Sequence, residues 1–198
     1  HQMIKLISSK AACFLCKEDD KETLELYEYA IYIVLSAILH IVTIIILGVC
    51  FDMLFESIVF YGSFILIRKF AGGYHAKTPI RCYLFSAMSN IIVLSAIKNT
   101  RIEYIFKFKI TIGLIMIFSL ILILVLSPIS SENKILNDKE KKIYGRISKL
   151  NTIILFVAFV ILWFAKIYPI GFSIGFGIVM EAIVLLLRKV QIYIYNML

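Results

Sequence analysis

Six apolar runs, at 27–51, 54–67, 80–97, 102–126, 150–167 and 170–187, occupy most of this 198-residue chain and are separated by charged or polar breaks. A helix needs about 20 residues to cross the hydrocarbon core of a bilayer, so the runs predict an all-α, polytopic membrane bundle of about six hydrophobic segments. The second run is short for a crossing, and a re-entrant or strongly tilted segment would suit it. Four full spans with re-entrant pieces therefore stand as the alternative. With 61% hydrophobic and 17% charged residues and a mean hydropathy of +0.93, the chain lies outside the composition of soluble domains, about 45–50% apolar and about 25% charged. Residues 3–198 read as a single membrane domain with no room for a separate soluble one. His1 and Gln2 stand before Met3 and read as additions ahead of the natural start.

No secretory signal is legible in the N-terminal stretch, which mixes charges with polar residues. Residues 3–26 instead interleave Ile4, Leu6, Ile7, Ala11, Phe14 and Leu15 with lysines, the pattern of a basic amphipathic helix lying among lipid headgroups. A solvated extension is the plainer alternative. The net charge of +8 is concentrated between the apolar runs, which suits anionic lipid or an acidic partner and contains nothing like a base-reading module. Placing the N-terminal segment, the 68–81 and 131–149 loops and the C-terminus in the cytoplasm puts sixteen of the 21 basic residues inside, as the positive-inside rule asks. Lys98, Arg101, Lys107 and Lys109 would then lie outside, against the rule. The polar stretch from Ser127 to Lys149, opened by the helix-stopping Pro128, reads as a solvated loop, with a docking surface for an acidic peptide as the alternative.

Cys13, Cys16, Cys50 and Cys82 have no spacing that suggests a disulfide framework. Cys13 and Cys16 could form a redox couple or half a zinc site, but nothing completes a tetrahedral set, and small apolar residues on a helix are the bland reading. The three histidines do not cluster with carboxylates or thiols, so no metal or other cofactor is expected.

Chemistry is expected in the break at 68–82, RKFAGGYHAKTPIRC. Thr78 followed by Pro79 is a helix-start signature, with a hydroxyl at the cap and a proline where its missing N–H costs nothing. Cys82 then falls in the first turn, where the helix dipole and Arg81 favour thiolate over thiol. His75 precedes the cap on a segment made pliable by Gly72 and Gly73, and is able to fold back and take the thiol proton. On spacing alone the pair is a weak motif. The competing account has His75 on a lipid phosphate and Cys82 packed as a small apolar residue.

The string Arg68, Ala71-Gly72-Gly73-Tyr74-His75-Ala76, then Cys82 and Ser86 resembles the signature of the accessory gene regulator B family, the membrane cysteine peptidases of peptide quorum sensing in Gram-positive bacteria. Pro128 followed by Asn133-Lys134 resembles a further loop of that family. The resemblance implies that Cys82 is the nucleophile and His75 its general base, with Arg68, Gly73 and Ser86 as supporting positions. It also implies an AgrD-like precursor peptide with an acidic C-terminal tail as substrate, a thioester acyl-enzyme, (thio)lactone closure of the released signal, a homodimer, and a multi-pass protein of the bacterial cell membrane with its site facing the cytoplasm.

A third catalytic residue is not identifiable from the sequence. Ser86 and Asn90 fall one and two turns after Cys82, though hydroxyl and amide packing between membrane helices is the commoner fate of such residues. Glu181 is a lone acid in the last run, functional by default or simply protonated or paired. His40 reads as an interhelical hydrogen bonder. Gly171 and Gly175 form a GxxxG, compatible with association or with internal packing. A peptide transporter is the main alternative function, and a scaffold that recruits a sensor kinase is a third.

Overall fold

The computed structural model describes residues 2–15, 21–73, 79–129 and 137–197. Among the described residues the chain forms eight α-helices: α1 (Gln2–Leu15), α2 (Lys21–Cys50), α3 (Leu54–Ala71), α4 (Pro79–Asn99), α5 (Ile102–Lys107), α6 (Lys109–Leu126), α7 (Asp138–Phe164) and α8 (Tyr168–Met197). Five of them, α2, α4, α6, α7 and α8, are long and apolar enough to cross a membrane. The protein is a multi-pass helical membrane protein.

The sixth apolar run is α3, a continuous 18-residue helix with Glu56 in its first turn and Arg68 and Lys69 in its last. Those charges keep it out of the set of plainly apolar spans. It nevertheless packs at the centre, against α2, α4, α7 and α8. The run at 102–126 divides at Phe108 into the short α5 and the longer α6.

α8 is the axial helix. Of its most apolar window 56% is buried, against 11–22% for the other four spans, whose outward faces carry residues such as Ile110 and Val125 at 71% and 72% exposure. Lipid competes equally well for aliphatic surface, so close packing rather than hydrophobicity must hold such helices together. Small residues on α8 make that possible. A Cβ on Gly177 would run into Ser63 Oγ of α3, and one on Gly175 would lie 3.2–3.3 Å from Phe159 of α7 and Met116 of α6. Ile67, Ala71, Ile123, Ile178, Ala182 and Leu185 fill the seam between these helices. The GxxxG glycines therefore serve packing within one copy, with Gly171 set against Leu162.

α1 packs along α2, burying Ser8 and Ala12 one turn apart and leaving Leu6, Ile7 and Phe14 exposed. This is a two-faced helix, as the interleaved sequence predicts. A correction falls on 127–149, expected to be loop throughout. Pro128 does follow the end of α6, but α7 begins at Asp138 and takes in the KEKK run. A capping box explains the early start: the Asn137 side chain accepts from the Asp138 N–H at 2.8 Å, while the Asn137 N–H donates to Glu140 Oε2 at 3.0 Å.

Candidate active site

α3 ends where two glycines follow it. Gly72 and Gly73 have φ of +78° and +120°, a region that side chains disfavour and glycine enters freely. Both also lack room for a Cβ: at Gly72 it would collide with the Ile129 carbonyl, and at Gly73 with the Arg68 guanidinium and Val184. The chain leaving α3 is held from two sides. Ile129 N–H donates to the Ala71 carbonyl at 2.9 Å, and Arg68 Nη1–H donates to the Gly72 carbonyl at 2.7 Å.

The segment after α6 is itself anchored. Ser127 Oγ–H donates to Ser148 Oγ at 2.7 Å inside the bundle, and Pro128 lies against Gly145 of α7, where any Cβ would be 2.9 Å from the proline ring. The glycine turn, the proline segment and the first half of α7 thus meet at one end of the bundle. Asn133 and Lys134 lie outside the described residues.

α4 is described from Pro79 onward and carries Cys82 near its start, half-buried and not in a disulfide; the Thr78 cap expected from sequence lies outside the described residues. Ser86 Oγ–H donates back to the Cys82 carbonyl at 3.1 Å. Of the residues singled out in sequence, Arg68 and Gly73 meet at the glycine turn, and Cys82 and Ser86 lie one turn apart on α4, which packs on α3. His75 lies outside the described residues, as do Tyr74, Ala76, Lys77 and Thr78.

Other candidates separate from this group. Asn90 is fully buried, its amide donating to Ser57 Oγ at 2.9 Å while Ser57 Oγ–H donates to the Ile44 carbonyl at 3.0 Å. It is a tie between α2, α3 and α4. His40 makes ring contacts, 6.4 Å from Tyr61 and 5.2 Å from Tyr83 by centroid, where an interhelical hydrogen bond is expected from sequence. The Tyr83 and Thr43 hydroxyls share a hydrogen bond at 2.7 Å. Among the described residues no three His, Cys, Asp or Glu side chains gather as a metal set.

Glu181 is fully buried in α8, and neither of its carboxyl oxygens has a hydrogen-bond partner. The signal is legible in sequence as a lone acid in an apolar run.

These features define a class: a polytopic helical membrane protein with a half-buried thiol near the start of the helix that follows a glycine turn held by a half-buried arginine. The chain belongs to the accessory gene regulator B family, whose profile (AgrB: Accessory gene regulator B) matches residues 8–185. Membership places it in the accessory gene regulator system. It is 28% identical over 191 residues to AgrB-like protein 2 of Clostridium perfringens strain 13, covering 91% of this chain and 88% of that one. It is 23% identical over 181 residues to an AgrB-like protein of C. perfringens strain SM101, covering 90% and 84%. Protein FsrB of Enterococcus faecalis is 31% identical over 94 residues, 48% of this chain and 39% of that protein. No solved structure matches the chain.

Proposed function

We propose that the protein is a membrane cysteine endopeptidase that removes the acidic C-terminal tail of a quorum-sensing propeptide and passes the acyl group on to ring closure. The observation that carries this reading is the placement of Cys82, half-buried near the start of α4, the helix that follows the turn held by Arg68, in a chain of this family.

His75 takes the Cys82 proton, and the thiolate attacks the scissile carbonyl carbon. N–H groups at the start of α4 are suited to receive the oxyanion. The C–N bond breaks, and the tail leaves as an amine with the proton from His75. The remaining thioester keeps its acyl activation. A cysteine thiol or serine hydroxyl of the same peptide then attacks it, loses its proton to His75, forms the (thio)lactone and returns Cys82 as the thiol. Water must stay out, because hydrolysis would discharge the thioester.

Lys139, Lys142, Arg146 and Lys149 recur at helical spacing along the first half of α7 and are exposed, which suits an acidic tail at the cytoplasmic face. A homodimer rests on the family resemblance alone, since the glycines of α8 are used within one copy.

The test is incubation of the purified protein in lipid vesicles with its precursor peptide. Tail release is expected from the parent, with an acyl adduct on Cys82 by mass spectrometry, and none from Cys82→Ala or His75→Ala. Release at the parent rate by Cys82→Ala refutes the assignment, and an intact peptide carried across the vesicle favours a transporter.

A further inference from the structure

Where α6 begins and α7 ends, the two helices leave a slot of about 370 Å³ between them, within the about 300–1,000 Å³ of pockets that hold small ligands. Met116 and Phe159, 3% and 6% exposed, form its floor against Gly175 of α8. Ile110, Ile117 and Phe164 stand exposed along its rim. Gly113 lines the slot from within α6, and a Cβ there would meet nothing within 4 Å. Glycine inside a helix costs about 0.5–1 kcal/mol relative to alanine, and neither a close approach nor a positive φ requires one at this position. What Gly113 supplies is open space in the wall.

Shape and lining together choose the occupant. From Ile110 to Ile117 the slot runs about 10 Å along α6, and a guest helix, itself about 10 Å across with its side chains, is too wide for a space of that length and volume. An extended peptide would lay its backbone N–H and C=O groups against walls whose only polar side-chain atoms are those of Lys109 and Trp163, and unsatisfied groups in an apolar setting are costly. A hydrocarbon chain has no such groups. Both walls belong to membrane spans, so acyl chains are the medium on the rim side. Lys109 is the first residue of its span and lines the slot, which sets its ammonium at headgroup depth. Lys107 comes two residues before it and Lys166 two residues after Phe164, and all three lysines are exposed. Residues 98–113 carry four basic side chains against one acid, Glu103. These are the cations that break the positive-inside rule when the glycine turn faces the cytoplasm. The 18 residues of α6, about 27 Å at 1.5 Å per residue, separate them from that turn.

We propose that the slot between α6 and α7 holds one acyl chain of an anionic phospholipid, with the headgroup phosphate on the Lys109 ammonium and Lys107 and Lys166 adding positive potential at the same level. Contact with the apolar walls retains the chain, and the lysines select the headgroup. A zwitterionic lipid offers the same chain but carries its own cation beside the phosphate, so it gains less from them. The site lies at the far end of α6 from the glycine turn and is independent of the role given to Cys82.

Trp163, the single tryptophan of the chain, lines the slot and serves as the reporter. The full chain is reconstituted in phosphatidylcholine vesicles that contain the same small fraction of either phosphatidylglycerol or phosphatidylcholine brominated on an acyl chain, and quenching of Trp163 fluorescence is measured. The brominated phosphatidylglycerol is expected to quench at least threefold more than the brominated phosphatidylcholine. Lys109→Gln is expected to bring the two within 1.5-fold of each other. Gly113→Leu, which fills the slot, is expected to lower quenching by phosphatidylglycerol at least twofold, with membrane insertion followed alongside; if that variant does not insert, Gly113→Ala is expected to give a smaller fall of the same sign. In detergent, added phosphatidylglycerol is expected to raise the thermal midpoint more than phosphatidylcholine does, as a ligand of the folded state must, and Lys109→Gln to remove the difference. Equal quenching by the two lipids in the parent, or unchanged quenching when the slot is filled, overturns the proposal. Quenching by neither lipid overturns it too: a molecular mass that falls from two copies to one in Gly113→Leu then gives the slot to a second copy, and a Trp163 emission shift on adding the precursor peptide gives it to the peptide.

Discussion

The Ile129 N–H donates to the Ala71 carbonyl at 2.9 Å, which lays the chain leaving α6 across the chain leaving α3. The bond gives a partner to one of the last carbonyls of α3, a group its own helix cannot satisfy. It also brings Ile129 so close to Gly72 that no side chain fits between them.

Gly72→Ala is therefore expected to destabilise the protein by about 1–3 kcal/mol, the scale of a non-glycine residue held in a disfavoured backbone region. The check is the thermal midpoint of the purified protein in detergent. An unchanged midpoint would mean that the two segments are not held together by this contact.

Ser148→Ala leaves the buried Ser127 hydroxyl without the acceptor it donates to at 2.7 Å. A loss of about 1–3 kcal/mol is expected, with Ser127→Ala/Ser148→Ala less affected than the sum of the single changes. Additive losses would show that the two hydroxyls are energetically independent.

Gly177→Ala forces a methyl against Ser63 Oγ and to 3.1 Å from the Phe64 nitrogen. Overpacking of this kind costs about 1–3 kcal/mol. Ser63→Gly in the same chain is expected to restore part of the loss, since it clears the nearer of the two obstacles, and a double variant no better than the single would place the crowding elsewhere.

Asn90→Leu removes the amide that donates to Ser57 and is expected to cost about 1–2 kcal/mol. Tail release per inserted molecule should stay within twofold of the parent, because Asn90 belongs to a tie between helices and not to the thiol site. A tenfold fall in that rate at unchanged stability would return Asn90 to the site.

Local signals in the sequence correspond to local features of the fold. Pro128 marks the end of α6, because a proline acts on the backbone next to it. The early start of α7 was harder to read, since the KEKK run looks like loop by charge alone and the Asn137–Glu140 capping box only gains meaning once the helix is present. α3 reads as a marginal segment because its apolar run, 54–67, is short for a crossing and ends at Arg68 and Lys69. Its central position depends on Gly177 and Ser63 meeting across the bundle, a fact about partners that one chain's periodicity does not carry. The same holds for Arg68 and Glu181. Each is legible alone as an unusual charge in an apolar setting, and the packing of α3 on α8, which carry them, is not.

The arrangement of α3 and α8 has a practical consequence for handling the protein. α2, α4, α6 and α7 each pack on one or both of them, so a detergent that pries helices apart should meet its last resistance at this pair. Cys82 sits on α4, one of the packed neighbours, so its reactivity is expected to change as soon as α4 loosens and to report early structural wear during purification.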